Sequence, residues 1–333
     1  MRSPIRTRLA AVLAALCLVL AACGDDDDTV ASSGDAATPE ETTEAAETPA
    51  DEESSFPVTV TVAGTDTTIE AEPQAIVSLS PTATEMLFAI GAGDQVVAVD
   101  DFSNFPEEAP VTDLSGFDPN VEAIIGYEPD LVILSGDRND VVAGLAAVDV
   151  PTIVLDSALT IDDTYTQIEV LGAATGHVGD AAEVVAGMQS DIEELAAQVA
   201  ERDEPLTYYH ELDDTFFSVT SETFIGEIYA LAGLENIADA AEGAADAGGY
   251  PQLSAEFIID ADPDLVFLAD TKCCGQDAAT VAARPGWADL TAVQQDGVVE
   301  LDDDIASRWG PRIVDFLRVI VEATADVESG VAG

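Results

Sequence analysis

A chain of 333 residues, 47% of them apolar, has material for two lobes of ordinary size rather than one small stapled scaffold. Ten basic residues against 66 acidic ones give a net charge of −56, a field that repels phosphate backbones and anionic lipid headgroups and so excludes nucleic acid as a partner. Two histidines, His177 and His210, cannot build an HExxH helix or a multi-histidine zinc centre, and no apolar run reaches the ~18 residues of a membrane-spanning helix.

In chain order, Arg2, Arg6 and Arg8 precede an apolar stretch over residues 9–22, the layout of an export signal. It ends Leu20-Ala21-Ala22-Cys23-Gly24, which resembles the lipobox of bacterial lipoproteins. That resemblance implies cleavage after residue 22, lipidation of Cys23 and an extracytoplasmic chain anchored to the cell membrane; an ordinary secretory signal with a chance cysteine is the alternative. Residues 24–55 carry twelve acids, no base and no aromatic, so they repel themselves into an extended tether that cannot pack a core.

From residue 56 the pattern alternates strand and helix. Residues 58–62 and 67–69 read as a hairpin around Gly64-Thr65-Asp66. A strand over 75–79 leads into a helix over 81–90, with Ser80 as N-cap, Pro81 at the first helical position and Gly91 closing it. Another strand follows at 95–99. Residues 121–134 overlay 255–268 at a constant offset, with eight of fourteen positions identical, and both copies read as helix, Pro-Asp turn and buried strand. Further elements are a helix over 139–148, a strand over 152–155, a long amphipathic helix over 181–199, a strand over 206–210, a helix over 224–231, a strand over 298–301 and a final helix over 311–327.

The repeat and the alternation predict an α/β fold of two similar lobes, each a mainly parallel sheet flanked by helices, joined by the long helix. The expected divisions are signal 1–22, tether 23–55, N-terminal lobe 56–178, interlobe helix 179–203 and C-terminal lobe 204–333.

Ligands of open α/β sheets bind beyond the carboxyl ends of the strands, so two facing lobes make a cleft. The residues expected there are Ser80, Pro81, Thr82, Phe102, Phe105, Arg138, Phe217, Tyr250, Arg308 and Trp309. Aromatic faces with scattered polar groups suit a large flat or hydroxylated molecule; the same aromatics read equally well as core or rim residues. Cys273 and Cys274 follow a strand end. A vicinal disulfide there would be strained, since adjacent Cα atoms lie ~3.8 Å apart against the usual ~4.4–6.8 Å, and the pair reads as a stiff turn, a sulfur platform or a redox or soft-metal site. No nucleophile elbow, P-loop, Cys-x-x-Cys or dinucleotide fingerprint is present, which argues against an enzyme, and no metal site or cofactor is expected.

The run Ile76-Val77-Ser78-Leu79-Ser80-Pro81-Thr82-Ala83-Thr84-Glu85, the two Pro-Asp-Leu-Val units, Gly233-Leu234-Glu235-Asn236-Ile237-Ala238 and Pro311-Arg312 resemble the cobalamin and ferric-siderophore type of ABC-transporter substrate-binding protein over about residues 56–327. This resemblance implies a monomeric binding protein with a rigid interlobe helix that delivers a small molecule to a membrane permease dimer. Glu122 and Glu256, equivalent in the repeat, match the family's permease-docking glutamates; each also sits in a first helical turn, where a negative charge is worth about 0.3–1 kcal/mol. Tyr250 stands where cobalamin binders place a tryptophan, whereas Leu114 and Ser135 replace two others. Beyond the signal the only cations are Arg138, Arg202, Lys272, Arg284, Arg308, Arg312 and Arg318, too few to cradle a ferric catecholate. The expected ligand is therefore a corrinoid, with a hydroxamate-like ferric siderophore or haem as the alternative. A surface sensor or adhesin without transport is the reading from another class.

Overall fold

The computed structural model describes residues 56–200, 202–244 and 246–331. The export segment, Cys23 and the acidic tether lie outside the described residues.

The chain opens with a hairpin, β1 (Val58–Val62) and β2 (Thr65–Ile69). Its turn is Ala63-Gly64, one position earlier than expected, because both residues take the positive φ, 48° and 80°, that a two-residue hairpin turn demands. The N-terminal lobe follows as β3 (Ile76–Leu79), α1 (Pro81–Ala89), β4 (Val96–Asp100), β5 (Val111–Leu114), α2 (Val121–Ile125), β6 (Leu131–Leu134), α3 (Val141–Ala146), β7 (Thr152–Val154) and α4 (Ile161–Thr175). Its five strands, in the order β5-β4-β3-β6-β7, are all parallel. The helix expected over 139–148 is shorter, because Asn139 and Asp140 both adopt left-handed backbone and delay its start.

Next comes α5 (Val178–Ala196), which ends well before residue 203. It packs against α4 on one side and the C-terminal helix on the other, burying Val185, Met188, Ile192 and Leu195. The C-terminal lobe comprises β8 (Thr207–Glu211), α6 (Phe224–Leu231), β9 (Glu235–Asn236), α7 (Ala255–Ala261), β10 (Leu265–Leu268), α8 (Thr271–Cys274), α9 (Ala278–Ala282), α10 (Thr291–Gln294), β11 (Val298–Glu300), α11 (Asp303–Ser307) and α12 (Ile313–Val331). Its four strands run β11-β10-β8-β9, again parallel.

The sequence repeat is a structural repeat. Asn120 and Ser254 cap α2 and α7 by accepting from the N–H groups of Ala123 and Phe257 at 3.0 and 3.2 Å. The aspartate of each Pro-Asp pair clamps the start of the neighbouring strand: Asp130 accepts from the N–H groups of Gln74 and Ala75, and Asp264 from the N–H and hydroxyl of Thr207. Because every strand of each sheet runs the same way, all carboxyl ends within a lobe open on one face. One apolar cluster runs from Ile76, Met86 and Leu87 through Leu171, Met188 and Leu195 to Tyr208, Tyr229, Phe267 and Phe316, so the lobes share a continuous core.

Candidate functional site

On the N-terminal lobe the chain leaves β3 at Ser80, whose hydroxyl accepts from the N–H of Ala83 and caps α1. Ser80 and Thr82 are both buried, at 2% and 3% exposure, and the Ser80 hydroxyl is committed to the helix cap. Thr84 extends that anchor, lying 2.9 Å from the Ser78 hydroxyl and 3.0 Å from that of Ser103.

Beyond β4, the Asp100 carboxylate accepts from the N–H of Phe102 and fixes the loop; burial raises its pKa despite that bond. The loop presents Phe102 and Phe105, 54% and 43% exposed. Beyond β5 stands Phe117, 65% exposed, meeting Phe102 edge to face at 5.5 Å, with the Arg138 guanidinium 5.5 Å from its ring centre. Phe117 was not expected from the sequence; its signal is an aromatic residue isolated among Gly116, Asp118 and Pro119 after a strand too polar to recognise.

The C-terminal lobe contributes Phe217, 38% exposed and bridged to Gln252, and Tyr250, 44% exposed. Tyr250, Arg308 and Trp309 line one cavity of about 90 Å³, floored by Phe224, Ile228 and Phe316 and walled on the other lobe by Ser157 and Ala158. A hollow of about 670 Å³ lies at the opposite, amino-terminal end of the first sheet, between β2 and the Pro129 and Pro151 turns, away from the strand ends that present the aromatics.

Across the cleft the lobes are latched. Glu85 on α1, 3% exposed, receives Arg308 at 2.8 Å and Arg312 at 2.9 Å. Arg308 also donates to the Phe102 carbonyl and to Asp304, and Arg312 stacks 4.2 Å over Phe105. Asn104 donates to Asp304, Trp309 donates to Gln167, and the N–H of Ile161 donates to Glu227. Lys272 is held by Asp302 and Asp304; burial opposes their ionisation, yet the ammonium keeps both carboxylates below their ordinary range. Lys272, Arg308 and Arg312 are thus already matched by protein carboxylates, whereas the Arg138 contact at the cleft is with the Phe117 ring.

Cys273 and Cys274 are free, exposed thiols on α8. Successive residues of a helical turn point apart, and the turn is fixed by Asp303, which accepts from the N–H groups of Thr271, Lys272 and Cys273. Burial and the neighbouring thiol push Cys273 up to about 12. Among the described residues no group of three or more His, Cys, Asp or Glu side chains is placed to hold a metal ion.

Glu122 and Glu256 are both exposed, each the second residue of its helix, and so occupy equivalent points on the two lobes.

The geometry matches known proteins over most of its length. The chain is 30% identical over 293 residues to an uncharacterized ABC transporter substrate-binding lipoprotein, YvrC, of Bacillus subtilis, covering 83% of this chain and 90% of that one. It is 32% identical over 276 residues to a cobalamin-binding protein of Halobacterium salinarum, covering 80% and 73%. The haem-binding protein HutB of Vibrio cholerae shares the fold with a TM-score of 0.66 at 24% identity, over 75% of this chain and 98% of that one. Residues 76–305 match the periplasmic binding protein family, and the chain belongs to it.

Proposed function

We propose that this protein is the extracytoplasmic substrate-binding component of an ABC importer, and that it captures a corrinoid between its lobes and delivers it to the permease. The observation that carries this reading is the charge state of the cleft: Arg308, Arg312 and Lys272 are each engaged by carboxylates, while exposed rings stand on both lobes. Such a surface favours a large, neutral or weakly charged molecule with apolar faces over a polyanion. The 32% identical cobalamin-binding relative supports the same choice.

On this reading Phe102, Phe105, Phe117, Phe217, Tyr250 and Trp309 supply the walls, Pro81 and Arg138 the rim, and Arg308 the polar anchor between lobes. Ser80 acts indirectly, by capping α1, and Thr82 is buried in the first turn of that helix. Glu122 and Glu256 meet the permease dimer, and a lipid on Cys23 with the tether to residue 55 keeps a monomeric binding body near it. Binding and release, with no bond made or broken in the ligand, is the activity.

The test is calorimetric titration of the purified mature chain with cyanocobalamin, cobinamide, haemin and a ferric hydroxamate. Saturable one-to-one binding of the corrinoids, weakened at least tenfold by Tyr250→Ala with Phe117→Ala, is the expected result. Binding of haemin or the hydroxamate alone would replace the ligand, and silence across the set would favour a sensor or adhesin. Glu122→Ala with Glu256→Ala should leave affinity unchanged and abolish uptake in cells carrying the cognate permease; loss of affinity would count against docking.

A further inference from the structure

Beneath the ligand face of the C-terminal lobe two carboxylates are buried against a single cation. Glu211 ends β8 and Asp270 lies two residues beyond the adjacent β10, and both have 0% exposure. Arg284 forks onto both oxygens of Glu211 and donates to Gln276, and the Tyr209 hydroxyl donates to Glu211. Neither Asp270 oxygen has a hydrogen-bond partner. The charged and titratable groups facing Asp270 are Glu211 and Tyr209 from β8, Arg284 from beyond α9, Asp303 from α11 and Cys273 from α8. Asp303 is committed to the N–H groups of α8, which leaves Arg284 as the one cation for two buried acids.

The same guanidinium lies 4.6 Å over the Trp287 ring and 5.5 Å from that of Phe216. Phe216 and Trp287 are stacked at 5.7 Å, and Phe216 has a φ of +68°, a left-handed conformation uncommon for a bulky residue. Its N–H donates to the Asp213 carbonyl and its own carbonyl accepts from Leu253, so the turn is pinned with the Phe216 ring inward. Phe217, the next residue, is thereby the ring turned out at the ligand face.

We infer that Arg284, held by the Glu211–Asp270 carboxyl pair, is a positioning residue that sets the posture of Phe217 and so the affinity of the cleft for its ligand. This rests on the ligand-binding reading above. A proton on Asp270 makes the pair stable: the neutral carboxyl carries no charge to oppose Glu211 and leaves Arg284 bound to Glu211 alone. Burial first, and Glu211 next, push Asp270 up to about 7. As pH rises through that value a second negative charge competes for the guanidinium and draws it off the Phe216–Trp287 stack.

The experiment uses the mature chain and two readouts. Without ligand, emission of Trp287 in a Trp309→Phe background is followed between about pH 5.5 and pH 8.5; a single step centred near neutrality is expected, absent in Asp270→Asn, which should hold the low-pH signal throughout. With cyanocobalamin as probe, affinity should fall as pH rises in the native chain and stay at its low-pH value in Asp270→Asn. Arg284→Lys should weaken binding about tenfold, and Phe217→Ala should cost far less in the Arg284→Lys chain than in the native one, the signature of coupled residues. A flat Trp287 titration in the Trp309→Phe chain with Asp270 intact, or additive losses for Arg284→Lys and Phe217→Ala, would overturn the inference. If Arg284→Lys fails to fold, Asp270→Asn decides it. If cyanocobalamin does not bind, the corrinoid reading fails and the ligand-free titration still decides this one.

Discussion

His210 shows how one buried side chain writes itself into the pH dependence of stability. It is fully buried on β8, its Nδ1 lies 2.8 Å from the Tyr229 hydroxyl, and its Nε2 has no partner. Burial among Tyr229 and Phe316 lowers its pKa to about 3. Below the ordinary imidazole pKa of ~6.5 the unfolded chain takes up a proton that the folded chain refuses, so stability is lost as pH falls from there toward 3. His210→Gln, which keeps a partner for Tyr229, should flatten the acid limb by up to about 1.4 kcal/mol per pH unit in urea unfolding series. Parallel limbs for the two chains would refute the assignment. Asp270 works in the opposite sense, its neutral form favouring the fold up to its pKa of about 7, so the comparison must be made with Asp270 intact. In the sequence His210 stands in an apolar strand apart from any histidine cluster, which is the local mark of a packing residue. The sequence could not mark Asp270, since nothing local distinguishes a carboxylate whose oxygens find no partner.

At the scale of elements, the parts with local signals were legible and those fixed by distant contacts were not. Ser80-Pro81 and Gly91 bound α1, and the two Pro-Asp-Leu-Val units place α2, β6, α7 and β10, because caps and buried strands are written within a few residues. The reading passed over α4, although Thr160 and Asp163 form a capping box and Gly176 closes the helix at a φ of 89°. The strands β5 and β9 are short and polar and exist only because a neighbour pairs with them. The latch between α1 and α12 lies further beyond local reading, since Glu85 and Arg312 are 227 residues apart. Removing its carboxylate takes from Arg312 the carboxylate it is paired with and leaves Arg308 to Asp304, and breaking a buried pair typically costs about 3–5 kcal/mol. Glu85→Gln should therefore lower unfolding free energy by that order in urea titrations while increasing affinity for an anionic ferric catecholate. Unchanged stability would mean that the shared apolar core and the remaining polar contacts hold the lobes without the latch.

The whole molecule joins a dry interior to a surface of one sign. The core is continuous through α5, so lobe motion must bend a packed helix pair and not merely a loop, which the amphipathic pattern of residues 181–199 already implied. The full sequence carries 66 acids against ten bases, and Lys272, Arg284, Arg308 and Arg312 are engaged by carboxylates in and around the cleft. The surplus negative charge is therefore a surface property, and its mutual repulsion works against the compact state. Salt shortens the range of that repulsion from about 10 Å at 0.1 M to about 3 Å at 1 M, while the Glu85 latch, out of solvent, is screened far less. Melting temperature should accordingly climb between roughly 0.1 and 1 M sodium chloride and then level off, with potassium chloride giving the same curve. A flat response to both chlorides together with a rise in sulfate would assign the effect to exclusion from the protein surface instead, and would show that the acidic surface costs the fold little.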